Sequence, residues 1–328
     1  MSIEIKTATL EPIRHSFANI ERRFGEKPAS RYQEATYDLQ AEVNFHYRPL
    51  WQPEFELNDK RRTAIVMNDW YDLRDPRQFY YGTYVQNRAK LQENAEGNYS
   101  FFEKRNLVDN LSDEVRQLLI NHLIPLRHIE HTANLNNMYG CAFGYGTAIS
   151  QALIYNAMDR LGIAQYLSRI GLILDGNTAM TLAEAKQAWM ESPSWQGLRA
   201  LCEETTTVKD WFEVVLAQDL IIDSLMYHLF YVQLDEKLVE MGGRDIALLT
   251  EIVHDWNKDT TRWLDSVLKT VAAESAENKA QLQQWIAVWR DKALAAFKPA
   301  AEAALGAHAL DNADQYLGER LKKLGLDQ

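Results

Sequence analysis

An all-α fold, a helical bundle, is predicted for this 328-residue chain by three observations. Glycine (15) and proline (8) are scarce, alternation of apolar and polar residues at strand spacing is hard to find, and one long segment is apolar nearly all round. That segment runs from Asp210 to about Met241 and carries Trp211, Phe212, Leu220, Ile221, Leu225 and Phe230 on every side. A helix without a polar face belongs in the middle of a bundle. With 46% apolar and 25% charged residues the composition is globular. A chain of this length buries roughly 75% of the surface its unfolded form exposes, so it needs neither a disulfide nor a structural metal to be stable.

Residues 1–75 differ from the rest. Pro12, Pro28, Pro49 and Pro53 interrupt them, and their helical periodicity is short and broken. From Tyr32 to Tyr84 there are 12 aromatics in 53 residues, about twice the 11% of the whole chain; they include Tyr37, Phe45, Tyr47, Trp51, Phe55, Trp70 and Tyr71. Such a segment is either a strap across its own domain or an arm on a partner, and the arm is favoured because interface cores are enriched in Tyr, Trp and Phe. Residues 1–75 are therefore read as an N-terminal arm and residues 76–328 as the bundle.

A helix is predicted from Asp75-Pro76, with proline in the first turn where a missing N–H does no harm, toward Leu107. Ser112 is the expected N-cap of the next, and Pro125 should kink it. Past Gly140, Gly144 and Gly146, whose small size suits close helix approach, a helix carries Ile149 to about Ile173. Gly144-Tyr-Gly146 is no phosphate loop, since neither a third glycine nor a Lys-Ser/Thr pair follows. Shorter helices fill 181–205. The apolar helix of 210–241 ends at Gly242-Gly243. Further helices follow from about Arg244 to Val271 and over the Ala-rich 277–309. No internal repeat or low-complexity linker is seen.

The net charge of −11 argues against nucleic acid, whose phosphates demand clustered Lys and Arg. The short runs at Arg22-Arg23 and Lys60–Arg62 read as solvated faces. Cys141 and Cys202 stand alone, which suggests a reducing compartment. The first residues lack a signal-peptide core, and no window approaches 18 uninterrupted apolar residues. A cytoplasmic protein, bound neither to membrane nor to nucleic acid, is expected.

The most informative stretch is Leu126–Gly140, which places His128, Glu130 and His131 in a helix as a buried metal site would. A four-helix di-iron protein takes a Glu from each of two helices and Glu-x-x-His from each of two others. Some thirty residues on, where Glu-x-x-His is due, the chain reads Asp159-x-x-Gly162. Glu251-Ile-Val-His254 is the only Glu-x-x-His, and a surface pair is the preferred reading over a ligand pair. Asp255 and Asp259 lie close by, with Lys258 expected to neutralise them. Asp219 and Asp223 sit four apart on the most apolar helix, where they repel and are costly to desolvate. Three accounts stay open: an ion-pair network in a dead metal cavity, with Arg127, Arg160 or His128 as the cation; a live metal site; or exposure at a subunit interface. The first is preferred. No Gly-x-Ser-x-Gly occurs and neither cysteine has a His and an acid in a motif, so covalent catalysis has no support.

Ser30-Arg-Tyr-Gln-Glu-Ala-Thr-Tyr-Asp38, the blocks Leu126–Asn134 and Tyr155–Gly162, and His254-Asp-Trp-Asn-Lys-Asp259 together resemble the β subunits of bacterial multicomponent di-iron monooxygenases, and among them those of the phenol hydroxylases. The likeness runs from about residue 10 to the C-terminal region. It implies a ferritin-like helical fold and a hydroxylase of two copies each of α, β and γ subunits. It also implies NADH- and O2-dependent hydroxylation with the di-iron centre in α, a reductase with FAD and [2Fe-2S], and a small regulatory protein. By the same likeness Glu130 stands where a ligand Glu would, Asp159 replaces a Glu and Gly162 a His. Asp219 or Asp223, and Asp255 or Asp259, are the nearest acids of the last helix pair. No catalytic, cofactor-binding or metal-binding residue is therefore assigned to this chain, and no iron is expected in it. Two function classes remain: a non-catalytic structural β subunit of an aromatic-ring hydroxylase, and an independent di-iron or ferritin-type oxidoreductase.

Overall fold

The computed structural model describes residues 18–40, 50 and 52–327, and among them every regular element is a helix. Two short helices come first, α1 (Ala18–Phe24) and α2 (Arg31–Thr36). Ser30 and Gln33 cap α2 reciprocally, each side chain accepting from the other's backbone N–H. The bundle consists of α3 (Tyr81–Lys104), α4 (Asp113–Leu118), α5 (Leu126–Phe143), α6 (Thr147–Leu174), α7 (Met180–Glu191), α8 (Pro193–Thr205), α9 (Trp211–Glu240), α10 (Ala247–Glu274), α11 (Ala276–Leu305) and α12 (Ala309–Leu324). The ferritin-like core is α5, α6, α9 and α10, with α3 against α10 and α11 against α8 and α9.

Local sequence explains most boundaries. Ser112 caps α4 through Val115 N, as expected. Pro193 opens α8, and Ser275 caps α11. Gly242, at φ 86°, ends α9, and its neighbour Gly243 donates back to Leu238 O. The predicted helix over 277–309 is in fact two, because Gly306 turns the chain at φ 96° and α12 starts afresh. Gly140 lets α5, α6 and α9 meet: a Cβ there would stand 3.0 Å from both Leu153 and Val215.

One expectation about proline is corrected. Pro76 lies not in a helix but in a turn, closed by Gln78 N donating to Asp75 O, and α3 begins only at Tyr81. At Pro125 the helical run is interrupted, with α4 ending at Leu118 and α5 starting at Leu126. The turn before it, Leu119–Leu123, widens to a π-turn in which Ile124 N donates to Leu119 O. The carbonyl that proline leaves without a helical donor, Asn121 O, accepts from the indole of Trp195 at 2.9 Å.

Helix α9 is long and apolar enough to cross a membrane, but 94% of its apolar window is buried inside the bundle. It is the core helix that its all-round apolarity predicts.

In its described part the N-terminal segment packs on its own bundle, as a strap does. Tyr32, Tyr37 and Tyr71 are buried with Ile20 and Ala148. Gln40 bonds both Gly144 O and Gly146 N. Ile65, Met67, Trp70 and Leu73 enter the main core, and Val66 exchanges two hydrogen bonds with the Asn278 side chain. Phe45, Tyr47 and Trp51 lie outside the described residues. Nor is Lys60–Arg62 simply a solvated face: Arg62 is buried, donating to Glu56 O and Gln52 over the Phe143 ring.

Candidate functional site

The four core helices converge on a single buried arginine. Helix α5 turns Glu130, Asn134, Asn137 and Gly140 inward at intervals of three and four, one face of a helix. Helix α6 faces it with Arg160, Asn156 and Leu153. Asp219, Asp223 and Tyr227 come from α9, and the first two are brought toward one line by a wide π-turn over Leu216–Ile222. Trp256 comes from α10.

Arg160 and Glu130 are wholly inaccessible to solvent. Arg160 Nη1 donates to Glu130 Oε2 and to Tyr227 Oη, both at 3.0 Å. Nη2 donates to Asp219 Oδ1 at 3.2 Å and to Asp223 Oδ2. The guanidinium carbon stands 4.4 Å from the centre of the Trp256 ring, at cation–π range. A second ring of polar groups holds the acids in place. Tyr227 Oη donates to Glu130 Oε1 (3.0 Å), Gln218 Nε2 to Asp223 Oδ1 (3.0 Å) and Asn137 Nδ2 to Asp219 Oδ1 (3.0 Å). Gln218 is in turn fixed by Asn136, and Asn137 by Asn156.

Three carboxylates face one guanidinium, and burial opposes every charge among them. It pushes the carboxyls of Glu130 and Asp219 above their ordinary range, with Arg160 only partly offsetting the rise. It also works against the Arg160 charge, but Tyr227, Glu130 and Asp219 outweigh it and keep the guanidinium protonated. Burial and Glu130 hold Tyr227 protonated too, so its hydroxyl can donate.

The expected cation is present, and of the three candidates it is Arg160. His128 instead stacks on Trp189 with ring centres 5.5 Å apart, burial lowering its pKa to about 4. Arg127 reaches the Leu182 carbonyl, and His131 is exposed. The inward position on α6 belongs to Arg160, not to the adjacent Asp159, since one step along a helix turns a side chain by about 100°. Asp159 faces α3, accepting from Arg88 Nη2 (2.8 Å), Tyr84 Oη (2.9 Å) and Trp256 Nε1 (2.8 Å). Gly162 opens onto a cleft of about 330 Å³ lined by Arg88, Leu91, Met158, Tyr166 and Trp256. On α10 the inward residue is Trp256: Asp255 is exposed, and Asp259 pairs with Arg88 (3.1 Å) and Arg77 (3.8 Å) rather than with Lys258. Glu251 is exposed and His254 half-buried against Tyr231.

These residues do not fit a di-iron centre. The donor set is three carboxylates without an imidazole, and a fixed positive charge bonds all three where a metal would have to stand. Among the described residues no group of three or more His, Cys, Asp or Glu is arranged to hold a metal ion. The cluster offers neither a nucleophile nor an accessible base; what it does is tie three helices together. Tyr227, Trp256, Gln218 and the asparagines were missed in the sequence. The one signal for them is Asn134-Leu-Asn-Asn137, an unusually amide-rich turn in a helix flanked by apolar residues.

The family model for the methane/phenol/alkene hydroxylases matches residues 51–275. The chain is 57% identical to oxygenase component MhpL of phenol 2-monooxygenase from Acinetobacter pittii (strain PHEA-2), over 99% of this chain and 98% of the relative. It is 51% identical to oxygenase component DmpL of phenol 2-monooxygenase from Pseudomonas sp. (strain CF600), over the same shares. Among solved structures, a chain of xenon-pressurised phenol hydroxylase from Pseudomonas sp. OX1 superposes with a TM-score of 0.94 at 50% identity, covering 99% of both chains. A chain of toluene 4-monooxygenase with toluene bound, 21% identical with a TM-score of 0.77 over 93% of this chain and 100% of that one, shares the fold.

Proposed function

The chain belongs to the methane/phenol/alkene hydroxylase family, and from that premise we propose that it is the non-catalytic β-type subunit of a multicomponent phenol monooxygenase. The observation that carries the proposal is Arg160 bonded to Glu130, Asp219 and Asp223 at the centre of the four-helix core. A bundle that holds a guanidinium there supports a catalytic partner instead of activating oxygen itself. The alternative, an independent di-iron or ferritin-type oxidoreductase, is disfavoured by the same arginine and by relatives that are components of larger oxygenases.

In this reading the α subunit carries the di-iron centre and the phenol pocket, and α, β and γ assemble as α2β2γ2 in the cytoplasm. A reductase with FAD and [2Fe-2S] delivers electrons from NADH, and a regulatory protein controls turnover. This chain contributes no catalytic, cofactor-binding or metal-binding residue; its part is a rigid face on which α is held.

Elemental analysis of the purified chain and of the assembled hydroxylase tests the proposal. The expected result is no stoichiometric iron and no phenol hydroxylation from the chain alone, with both present once α and γ are added. Two irons in the isolated chain would overturn it.

A further inference from the structure

Three carboxylates held at one point inside a bundle repel one another and are costly to keep from water, so a cation must stand among them. The arrangement here outlines a site around that cation. Tyr227, Gln218 and Asn137 each occupy one oxygen of Glu130, Asp223 and Asp219 respectively. That fixes the carboxylates and leaves Glu130 Oε2 and Asp223 Oδ2 turned to the Arg160 nitrogens. Two further atoms, Asp219 Oδ2 and Arg160 Nε, are fully buried and have no hydrogen-bond partner. Gln218 and Asn137 therefore hold Asp223 and Asp219 without the guanidinium's help, whereas Tyr227, which holds Glu130, also accepts from Arg160.

We propose that Glu130, Asp219 and Asp223 form a preorganised cation cage with the Arg160 guanidinium as its resident, and that the cage takes a free cation when this side chain is cut back. Free guanidinium suits it, because it matches the vacated shape and its forked donors; Mn2+ serves as the control, since no group of acids among the described residues is arranged to hold a metal ion. The inference rests on the reading of this chain as a subunit without a metal centre of its own.

The test is Arg160→Ala in the full-length chain, followed by thermal melting with guanidinium chloride at tens of millimolar, or with MnCl2, and by Mn2+ electron paramagnetic resonance. Without a cation the variant should melt on the order of 10 °C below the parent chain. Guanidinium at about ten times its dissociation constant should raise the melt by about 2 °C, and Mn2+ should neither raise it nor bind. The parent chain should respond to neither. Arg160→Ala combined with Glu130→Gln, Asp219→Asn and Asp223→Asn should melt higher than Arg160→Ala and ignore both cations. A folded Arg160→Ala chain that does not respond to guanidinium overturns the cage. If Arg160→Ala does not fold, the neutralised combination decides. A cooperative melt from it supports the cage, whereas a chain that stays unfolded shows that Arg160 is needed for packing and overturns it. Stoichiometric iron in the parent chain would instead defeat the subunit reading, so the two failures are told apart.

Discussion

Burial holds His122 neutral, its pKa pushed down from 6.5 to about 4 with a smaller contribution from Lys237. The unfolded chain therefore binds a proton between those values that the folded chain refuses. Its stabilising effect is complete above pH 6.5 and is lost as pH falls toward 4. His122→Leu should flatten the stability–pH profile in that window by about 1.4 kcal/mol per pH unit, leaving the profile above pH 7 unchanged. Urea unfolding at pH 5 and at pH 7.5 measures it, and parallel profiles would show that the imidazole titrates freely. Tyr227 allows a second prediction, since its hydroxyl accepts from Arg160 and donates to Glu130. Tyr227→Phe leaves a buried donor and a buried acceptor unpaired, and should cost about 2–3 kcal/mol in the same assay. At this scale the sequence was legible for types of residue and illegible for direction. Glu130, Asp219, Asp223 and Arg160 stand out as charges on apolar helices, yet nothing in the linear order says that Arg160 faces the core while Asp159 turns to Arg88. Each direction is set by a partner at least 30 residues away in the chain.

At the scale of the element, most boundaries follow from caps and breakers that the sequence displays: Ser112, Pro193, Gly242 and Gly306 act within their own turn. The exception is the passage through Pro125. Its local rule demands a disruption there, but not the π-turn that precedes it nor the Trp195 indole that takes up Asn121 O. That compensation comes from α8, 74 residues further on, and no local reading could supply it. Trp195→Phe keeps most of the ring packing and removes the donor, so it should lower stability by about 1–3 kcal/mol, the cost of one buried unsatisfied carbonyl. Joining it with Pro125→Ala restores a backbone donor near Asn121 and should recover part of the loss. Equal stabilities for the single and double variants would mean that the indole bond plays no part in the passage through the proline.

For the whole molecule the open question is what the first forty residues hold together. Ile20, Tyr32 and Tyr37 bury themselves against Tyr71 and Ala148, the latter on α6. Arg23 ties Asp38 to Asp69, and Thr36 accepts from Gln151 on α6. None of these contacts needs a partner subunit. They form a cluster separate from the main core, which among the described residues is entered from Ile65 onward. A chain lacking residues 1–40 should therefore stay helical by circular dichroism but melt on the order of 5 °C lower, as expected for losing a few buried side chains from a chain of this size. Removing residues to 73 should abolish the cooperative melt, because Trp70 and Leu73 leave the core with it. The separation also sets what co-purification can reveal. If the 1–40 deletion weakens assembly with α only in proportion to the lowered melt, the strap acts through the fold of its own subunit. If assembly fails while the isolated subunit still melts cooperatively, residues 1–40 also touch α.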